Sequence, residues 1–338
     1  MTVPFQSKGS PVSEKEARLL TALSLTDSIA AEDLSKLSKL PIHTVRYILK
    51  SFLDSGFITR TIAYDPFRLG LSVFNMFFSI PPRQRKAILQ FLSSYPSITW
   101  LAENGGEFRY ELTSTAHDCA TLLRLEETIA NKFGVDFQNK AWAIETDCYI
   151  FGYKYLCSEQ SQKPAGQHYY YTGAAPSVTT DELDYKILSA LWASHNPNQQ
   201  QLSRQLGLPS ATLAYRVNRL KKAGVILSER TFINPTKFGF AEYQLLLYFD
   251  SPNRESTAKL LEWSAQHSNI FGAIKCFGAW NYKLILHTSS PESAYDLQDE
   301  ISDRFSVVSR SAIVPRRHIL KVSSTLSLRS SAATSATP

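Results

Sequence analysis

Two kinds of apolar spacing alternate along the chain and predict its architecture. Leu183, Ile187 and Leu191 recur every four positions, Leu202 and Leu206 lie four apart, and Leu213, Val217 and Leu220 follow at i, i+4 and i+7. That spacing gathers the apolar side chains on one face of each of three helices. Gly224 stands where the third helix must stop, since a left-handed residue beyond a helix end costs glycine least. "VILSERTFINP" (225–235) then reads as a short two-stranded wing. Beyond it the period changes. "EYQLLLYFD", "NIFGAIKCF", "WNYKLILHT" and "VVSRSAIVPRRHILKV" read as strands, while "RESTAKLLEWSAQH" and "PESAYDLQDEISDRF" keep helical spacing. The order βαββαβ is that of the ferredoxin-like split motif.

The chain carries this pattern twice. Residues 15–58 lie on 183–226 without a gap, and eleven of the forty-four positions are identical, among them Leu20/Leu188, Leu34/Leu202, Pro41/Pro209, Tyr47/Tyr215 and Gly56/Gly224. "DPFRLG" (65–70) falls on "NPTKFG" (234–239), and further on Ile98/Ile270, Gly106/Gly278, Tyr110/Tyr282 and Phe133/Phe305 coincide. A repeat of this length points to a tandem duplication. The expected fold class is α+β: two copies of a winged helix-turn-helix, each followed by a ferredoxin-like βαββαβ domain. The expected boundaries are a flexible tail (1–12), winged helix one (13–70), ferredoxin-like domain one (71–156), a linker (157–180), winged helix two (181–239), ferredoxin-like domain two (240–322) and a disordered tail (323–338). The linker is rich in Pro, Gly and Ser. Its tyrosine run, Tyr169 to Tyr171, reads either as a stacking surface or as packing on a neighbouring domain.

Charge adds a lean towards a polyanion. The net charge is +6 and the pI about 9.0. Residues 181–240 hold eight Lys/Arg against four Asp/Glu, whereas residues 13–70 hold eight against seven. Cys119, Cys148, Cys157 and Cys276 form neither a CxxC pair nor a metal-ligand spacing with the seven histidines, which predicts reduced thiols and no metal site. No apolar run approaches a membrane span and the first residues do not read as a secretory signal, so a soluble cytoplasmic protein without membrane association is expected.

"LDYKIL" (183–188), "LSRQLGLPSATLAYRVNRLKKAGVI" (202–226), "NPTKFG" (234–239) and "CFGAWNYKLIL" (276–286) together resemble the leucine-responsive/asparagine-regulator (Lrp/AsnC) family of transcription factors. The resemblance implies double-stranded DNA as partner and ferredoxin-like domains that pair face to face to bring two reading heads together. It also implies a small-molecule effector (an amino acid or related metabolite) and self-association through the ferredoxin-like faces. Where the family's effector-loop pattern has Asp, this chain has Asn281 in the second half and Arg109 in the first.

A reading helix needs one face to pack and another to meet phosphates and base edges. On an ideal helix Thr212, Arg216 and Arg219 lie within about 60° of one another and roughly 100° from the core stripe. Arg216 and Arg219 are therefore expected to make the stronger DNA contacts, with Ser210, Thr212, Tyr215, Lys221 and Lys222 beside them. The weaker head offers Thr44, Arg46, Tyr47 and Lys50, and has Ile48, Ser51 and Asp54 where the second has Arg216, Arg219 and Lys222. An effector pocket is expected near Gly106, Arg109, Gly278, Trp280 and Asn281, although both glycines read equally well as tight turns. No nucleophile motif, P-loop or GxGxxG appears, so neither catalysis nor a bound cofactor is expected. Two alternatives stay open. Siroheme decarboxylases of haem biosynthesis are similar in this two-domain unit and would require a His- and Arg-rich pocket between the halves, yet "SITWLAE" and "NIFGAIKCF" lack histidine. The other is a small-molecule sensor or assembly module that binds no DNA.

Overall fold

The computed structural model describes residues 13–24, 26, 30–156, 169–193, 199–251 and 253–323. The expected tails (1–12 and, after Ser323, 324–338), Cys157 and linker residues 158–168 lie outside the described residues. The first half comprises α1 (Glu14–Ser24), α2 (Ala31–Ser38), α3 (Ile42–Asp54), β1 (Ile58–Tyr64) and β2 (Ser72–Ser79). It continues with α4 (Arg85–Ser94), β3 (Ile98–Asn104), β4 (Tyr110–Ala116), α5 (Ala120–Phe133) and β5 (Gln138–Ile150). A short strand, β6 (Tyr169–Thr172), precedes α6 (Glu182–Ala193), α7 (Gln199–Leu206), α8 (Ser210–Lys222), β7 (Ile226–Ile233) and β8 (Ala241–Phe249). The chain ends with α9 (Arg254–Gln266), β9 (Ile270–Gly278), β10 (Tyr282–Thr288), α10 (Pro291–Arg304) and β11 (Val308–Val322). The two halves share one element order, and their βαββαβ parts are ferredoxin-like.

The three-helix heads form for the reasons the spacing gave. Leu34, Val45, Ile48 and Phe52 are buried in the first, and Ile187, Leu202, Leu213 and Leu220 in the second. Pro41 and Pro209 precede the third helices in extended conformation. In the helix-turn-helix turn, the left-handed position is Gly207 (φ 64°) in one head but Lys39 (φ 54°) in the other. The Arg18 guanidinium holds that turn by donating to the Ser38 and Lys39 carbonyls.

Neither wing is a hairpin. "VILSERTFINP" has no glycine to reverse it, so it stays extended, and β7 pairs antiparallel with β1 of the other half, from Ile58↔Ile233 to Tyr64↔Ile226. The segments after this ribbon are exchanged as well. Phe238, from "NPTKFG", packs edge-on against Phe52 and Phe57 of head one. Leu69 and Leu71, following "DPFR", join Leu188, Leu213 and Leu220 in the core of head two. Each head is thus completed by the chain leaving the other.

The ferredoxin-like domains pair through hydrogen-bonded edges rather than face to face. β5 pairs with its own β2 along residues 138–145 and with β9 along 143–150. β11 does the same with β8 and β3. Following the pairings β2-β4-β3-β11-β8-β10-β9-β5 back to β2 closes a ring of eight strands. β6 adds to the edge of β5, so the tyrosine run is a strand inside the expected linker, with Tyr170 stacked on Tyr149. Strand alternation sorts the two faces of the ring. Leu245, Leu284 and Leu286 pack with Leu260 and Leu297 of α9 and α10, and Leu112 packs with Ile88 and Leu125 of α4 and α5. Residues on the other face look inward, toward the β1–β7 ribbon. Among the described residues no helix is long and apolar enough to cross a membrane, and no group of His, Cys, Asp and Glu is arranged to hold a metal ion.

Candidate nucleic-acid interface and the polar centre between the halves

The exposed faces of α3 and α8 coincide. Ala211, Tyr215, Asn218 and Lys222 are exposed and lie within about 60° of one another on an ideal helix. Their counterparts His43, Tyr47, Lys50 and Asp54 are exposed on α3. Tyr215 and Tyr47 are 68% and 75% exposed, unusual for aromatic side chains in the middle of packed helices. Ser210 and Lys221 are also exposed, while Thr212 and Thr44 are half-buried.

Arg216 and Arg219 occupy a different arc, between this stripe and the core, and they face the start of α6. Asp181 and Asp184 cap α6 reciprocally, each carboxylate accepting the other residue's backbone N–H. Asp184 is fully buried, and its two carboxylate oxygens also meet Arg216 (3.1 Å) and Arg219. Arg216 reaches Asp181 as well, at 2.5 Å. The hydrogen bond from Arg216 and the backbone N–H of Asp184 hold the Asp181 carboxyl below its usual range. The two arginines therefore brace head two, with the Arg219 side chain still 41% exposed, and Lys221 and Lys222 add exposed charge on α8. In head one Arg46 is exposed and paired with Glu32 at 3.0 Å, leaving Lys50 and Tyr47 on the stripe. A helical wheel drawn from the core cannot tell which flank the first helix covers, so the arginine arc looked available.

The structure places the five residues expected around an effector in separate local roles. Trp280 is buried against Phe77 inside the ring. The Asn281 side chain accepts the Phe249 N–H (2.8 Å) and so ties the end of β8, a structural use of the amide. Arg109 pairs with Glu103 at 2.8 Å. Gly106 (φ 79°) makes an open turn, whereas Gly278 (φ 141°) lets β9 approach β5, since a Cβ there would sit 2.5 Å from the Trp142 carbonyl oxygen.

The space between the halves lies elsewhere. A cavity of about 570 Å³ separates the β1–β7 ribbon from the inner face of the ring. Thr59, Thr61, Ala63 and Phe232 line it from the ribbon, Trp100, Trp192, Tyr171, Phe271 and Ile274 from the sides. Its floor is ionic: Glu111, Glu145, Glu242, Lys283, Arg316 and His287. Glu111 sits at the centre. It accepts from Asn75 (3.0 Å) and Gln244 (2.6 Å) and pairs with Lys283 (3.0 Å) and Arg316 (2.8 Å). Lys283 also faces Glu145 at 3.5 Å, and Arg316 faces Glu242 at 3.1 Å.

Strand register shows what these residues are to one another. Phe77 opposes Glu111 as Leu246 opposes Lys283, so Glu111 and Lys283 are equivalent positions in the two halves. Asn75 opposes Ala143 as Gln244 opposes Val314, which makes Glu145 and Arg316, two residues further along, equivalent too. At both pairs of equivalent positions the two halves carry opposite charge. Burial pulls the Glu111 carboxyl upward, but the charges of Lys283 and Arg316 and the bonds from Asn75 and Lys283 outweigh it and hold the group at about 2. Burial acts downward on Lys283 and is likewise overcome by Glu111 and Glu145, which raise it. Burial dominates at Glu145, whose carboxyl is raised. The sequence offered one signal for this cluster, isolated charges inside strands ("RYELTS", "NYKLILHT"), which alternation places on the inward face. The expected histidine and arginines do not come from β3 or β9. They come from β10 (His287), β11 (Arg316) and β1 (Arg60).

A winged helix-turn-helix DNA-binding family model matches residues 180–226. An uncharacterized HTH-type transcriptional regulator of Pyrococcus horikoshii is 40% identical over 63 residues, 19% of this chain and 40% of that protein. The HTH-type transcriptional regulator Ptr1 of Methanocaldococcus jannaschii is 32% identical over 84 residues, 24% of this chain and 57% of its own. Regulatory protein AsnC of Escherichia coli K12 is 33% identical over 60 residues, 18% and 40% respectively. The chain thus spans between 40% and 57% of the length of these relatives. One solved structure, the siroheme decarboxylase NirDL in co-complex with an iron-uroporphyrin III analogue, is similar across both halves. Its TM-score is 0.60 at 12% identity, covering 91% of this chain and 93% of that one. At that identity the likeness is one of fold.

Proposed function

We propose that this chain is a double-stranded-DNA-binding transcriptional regulator, a duplicated unit folded as a dimer within one chain, with two unequal reading heads. The observation that carries the reading is the exposed stripe on the third helix of each head. It includes a tyrosine at the same position in both, within a helix-turn-helix whose second copy matches a DNA-binding family model. Tyr215, Asn218, Lys221 and Lys222 would contact DNA from head two, with Ser210 and Thr212 near its N-terminus. Tyr47, Lys50 and Arg46 would do so from head one, with Thr44 beside them. Arg216 and Arg219 position α8 against α6. Because the stripes differ in sequence, the preferred site is asymmetric.

Selection of bound fragments from a random double-stranded DNA library tests this. Tyr215→Ala combined with Lys222→Ala should cut retention of the selected site at least about tenfold, roughly the cost of one or two lost backbone or base contacts, without moving the thermal midpoint. Arg216→Ala should lower the stability of head two. Absence of any enriched fragment would overturn the regulator reading and leave a sensor or assembly module. A second reading, a siroheme-decarboxylase-like enzyme, draws on the whole-chain fold likeness and on a cavity between the halves that holds Arg60, Arg316 and His287. Three carboxylates in the same cavity oppose it, because Glu111, Glu145 and Glu242 already occupy Lys283 and Arg316, cations that a polycarboxylate would need. Titration with uroporphyrin III, followed by its visible absorbance, separates the two: saturable binding favours the enzyme.

A further inference from the structure

Protein interiors are close-packed, and voids larger than a water molecule are few. The cavity of about 570 Å³, whose rim is exposed at Ile319 and Val322, lies within the roughly 300–1,000 Å³ common for small-molecule sites. We propose that the space between the β1–β7 ribbon and the eight-stranded ring binds one flat, largely apolar small molecule of zero net charge, held with a polar edge towards the ionic floor.

Flatness and apolarity follow from the walls. Trp192 meets Tyr64 edge-on, and Trp100, Phe271 and Phe232 complete an aromatic enclosure that favours a ring system. Zero net charge follows from the pairing of the charges that face the space: Lys283 is held by Glu111 and Glu145, Arg316 by Glu111 and Glu242, and Arg60 on the ribbon faces Glu229 at 3.7 Å. A phosphate, sulfonate or carboxylate entering the site must draw a cation away from a buried partner and leave that carboxylate unmatched, which a low-dielectric interior penalises. A single orientation follows from the unequal halves. On a true two-fold axis a ligand meets two identical poses, but here Glu111 is equivalent to Lys283 and Glu145 to Arg316, so the two ends of the floor differ. The ribbon above the cavity carries Ile62 into the core of one head and Ile233 into the core of the other. An occupant therefore bears on the joint between the heads and the ring. None of this requires that the heads bind DNA.

Two fluorescent probes with one ring system test the site: uncharged N-phenyl-1-naphthylamine and the sulfonate-bearing 1-anilinonaphthalene-8-sulfonate. Titrated into the full chain, the uncharged probe should saturate at one per molecule, and the anionic one should bind at least about tenfold more weakly. Ala63→Phe on the ribbon side and Ile319→Trp on the opposite side each fill the space. Either, with circular dichroism and thermal midpoint confirming its fold, should weaken the uncharged probe at least about tenfold. If one variant does not fold, the other carries the test, and the probe pair on the native chain decides independently of both. Saturation at more than one probe, equal binding of the two probes, or unchanged affinity in a folded variant would overturn the proposal.

Discussion

The Glu111–Lys283 pair offers the sharpest test of how the halves are held together. Both residues are almost fully buried, 3.0 Å apart, at equivalent positions. Glu111→Gln keeps the shape and removes the charge, leaving Lys283 with Glu145 and Arg316 with Glu242. Holding a carboxyl at about 2 instead of its ordinary 4.5 corresponds to about 3 kcal/mol in favour of the folded, ionised form. Breaking a buried pair by removing one partner typically costs about 3–5 kcal/mol. We therefore expect Glu111→Gln to lower the unfolding free energy by about 3 kcal/mol at neutral pH, read from urea unfolding monitored by tryptophan fluorescence. Lys283→Glu should be worse, because it sets two carboxylates facing each other as a symmetric dimer of the first half would. Combining Glu111→Lys with Lys283→Glu should not recover the loss, because the new lysine faces Arg316 and the new glutamate faces Glu145. A depressed carboxyl contributes its stability above the unfolded value, so the contribution is present at neutral pH and fades as pH falls from about 4.5 towards 2. The native chain should lose stability in that window by more than the Glu111→Gln variant does. A single substitution costing under about 1 kcal/mol, or full recovery on exchanging the charges at 111 and 283, would refute the assignment of opposite charge across this network as the pairing device.

Three other outcomes follow from the geometry. Lys39→Gly should stabilise head one by about 0.5–1 kcal/mol in thermal unfolding, since Lys39 occupies a left-handed position where the equivalent residue is Gly207. Gly278→Ala should destabilise by about 2 kcal/mol or more, because the added methyl meets the β5 backbone. DNA affinity, measured by fluorescence anisotropy, should fall roughly a hundredfold between 50 and 200 mM salt if about four phosphates are neutralised.

Much of this architecture was legible in the order of residues. Apolar spacing placed the heads and strands, and the doubled pattern predicted two units of one kind, because helix and strand periods are local properties of the chain. Tyr47, Tyr215 and the lysines were named as candidates from sequence, and the structure places these tyrosines, with Lys50 and Lys222, on the exposed stripes. Three features were decided only by the tertiary structure. The expected wings became a shared ribbon, since a strand without a turn pairs with whatever extended edge comes near. Arg216 and Arg219 pair with the carboxylates at the start of α6, because the flank they occupy is the one that helix approaches. The ionic centre drew on β4, β5, β8, β10 and β11, whose members lie up to 205 positions apart in the chain (Glu111 to Arg316). Charge at a strand position reveals its partner only once the ring has closed. Periodicity fixes which face a residue occupies, and only the pairing of edges determines what that face meets.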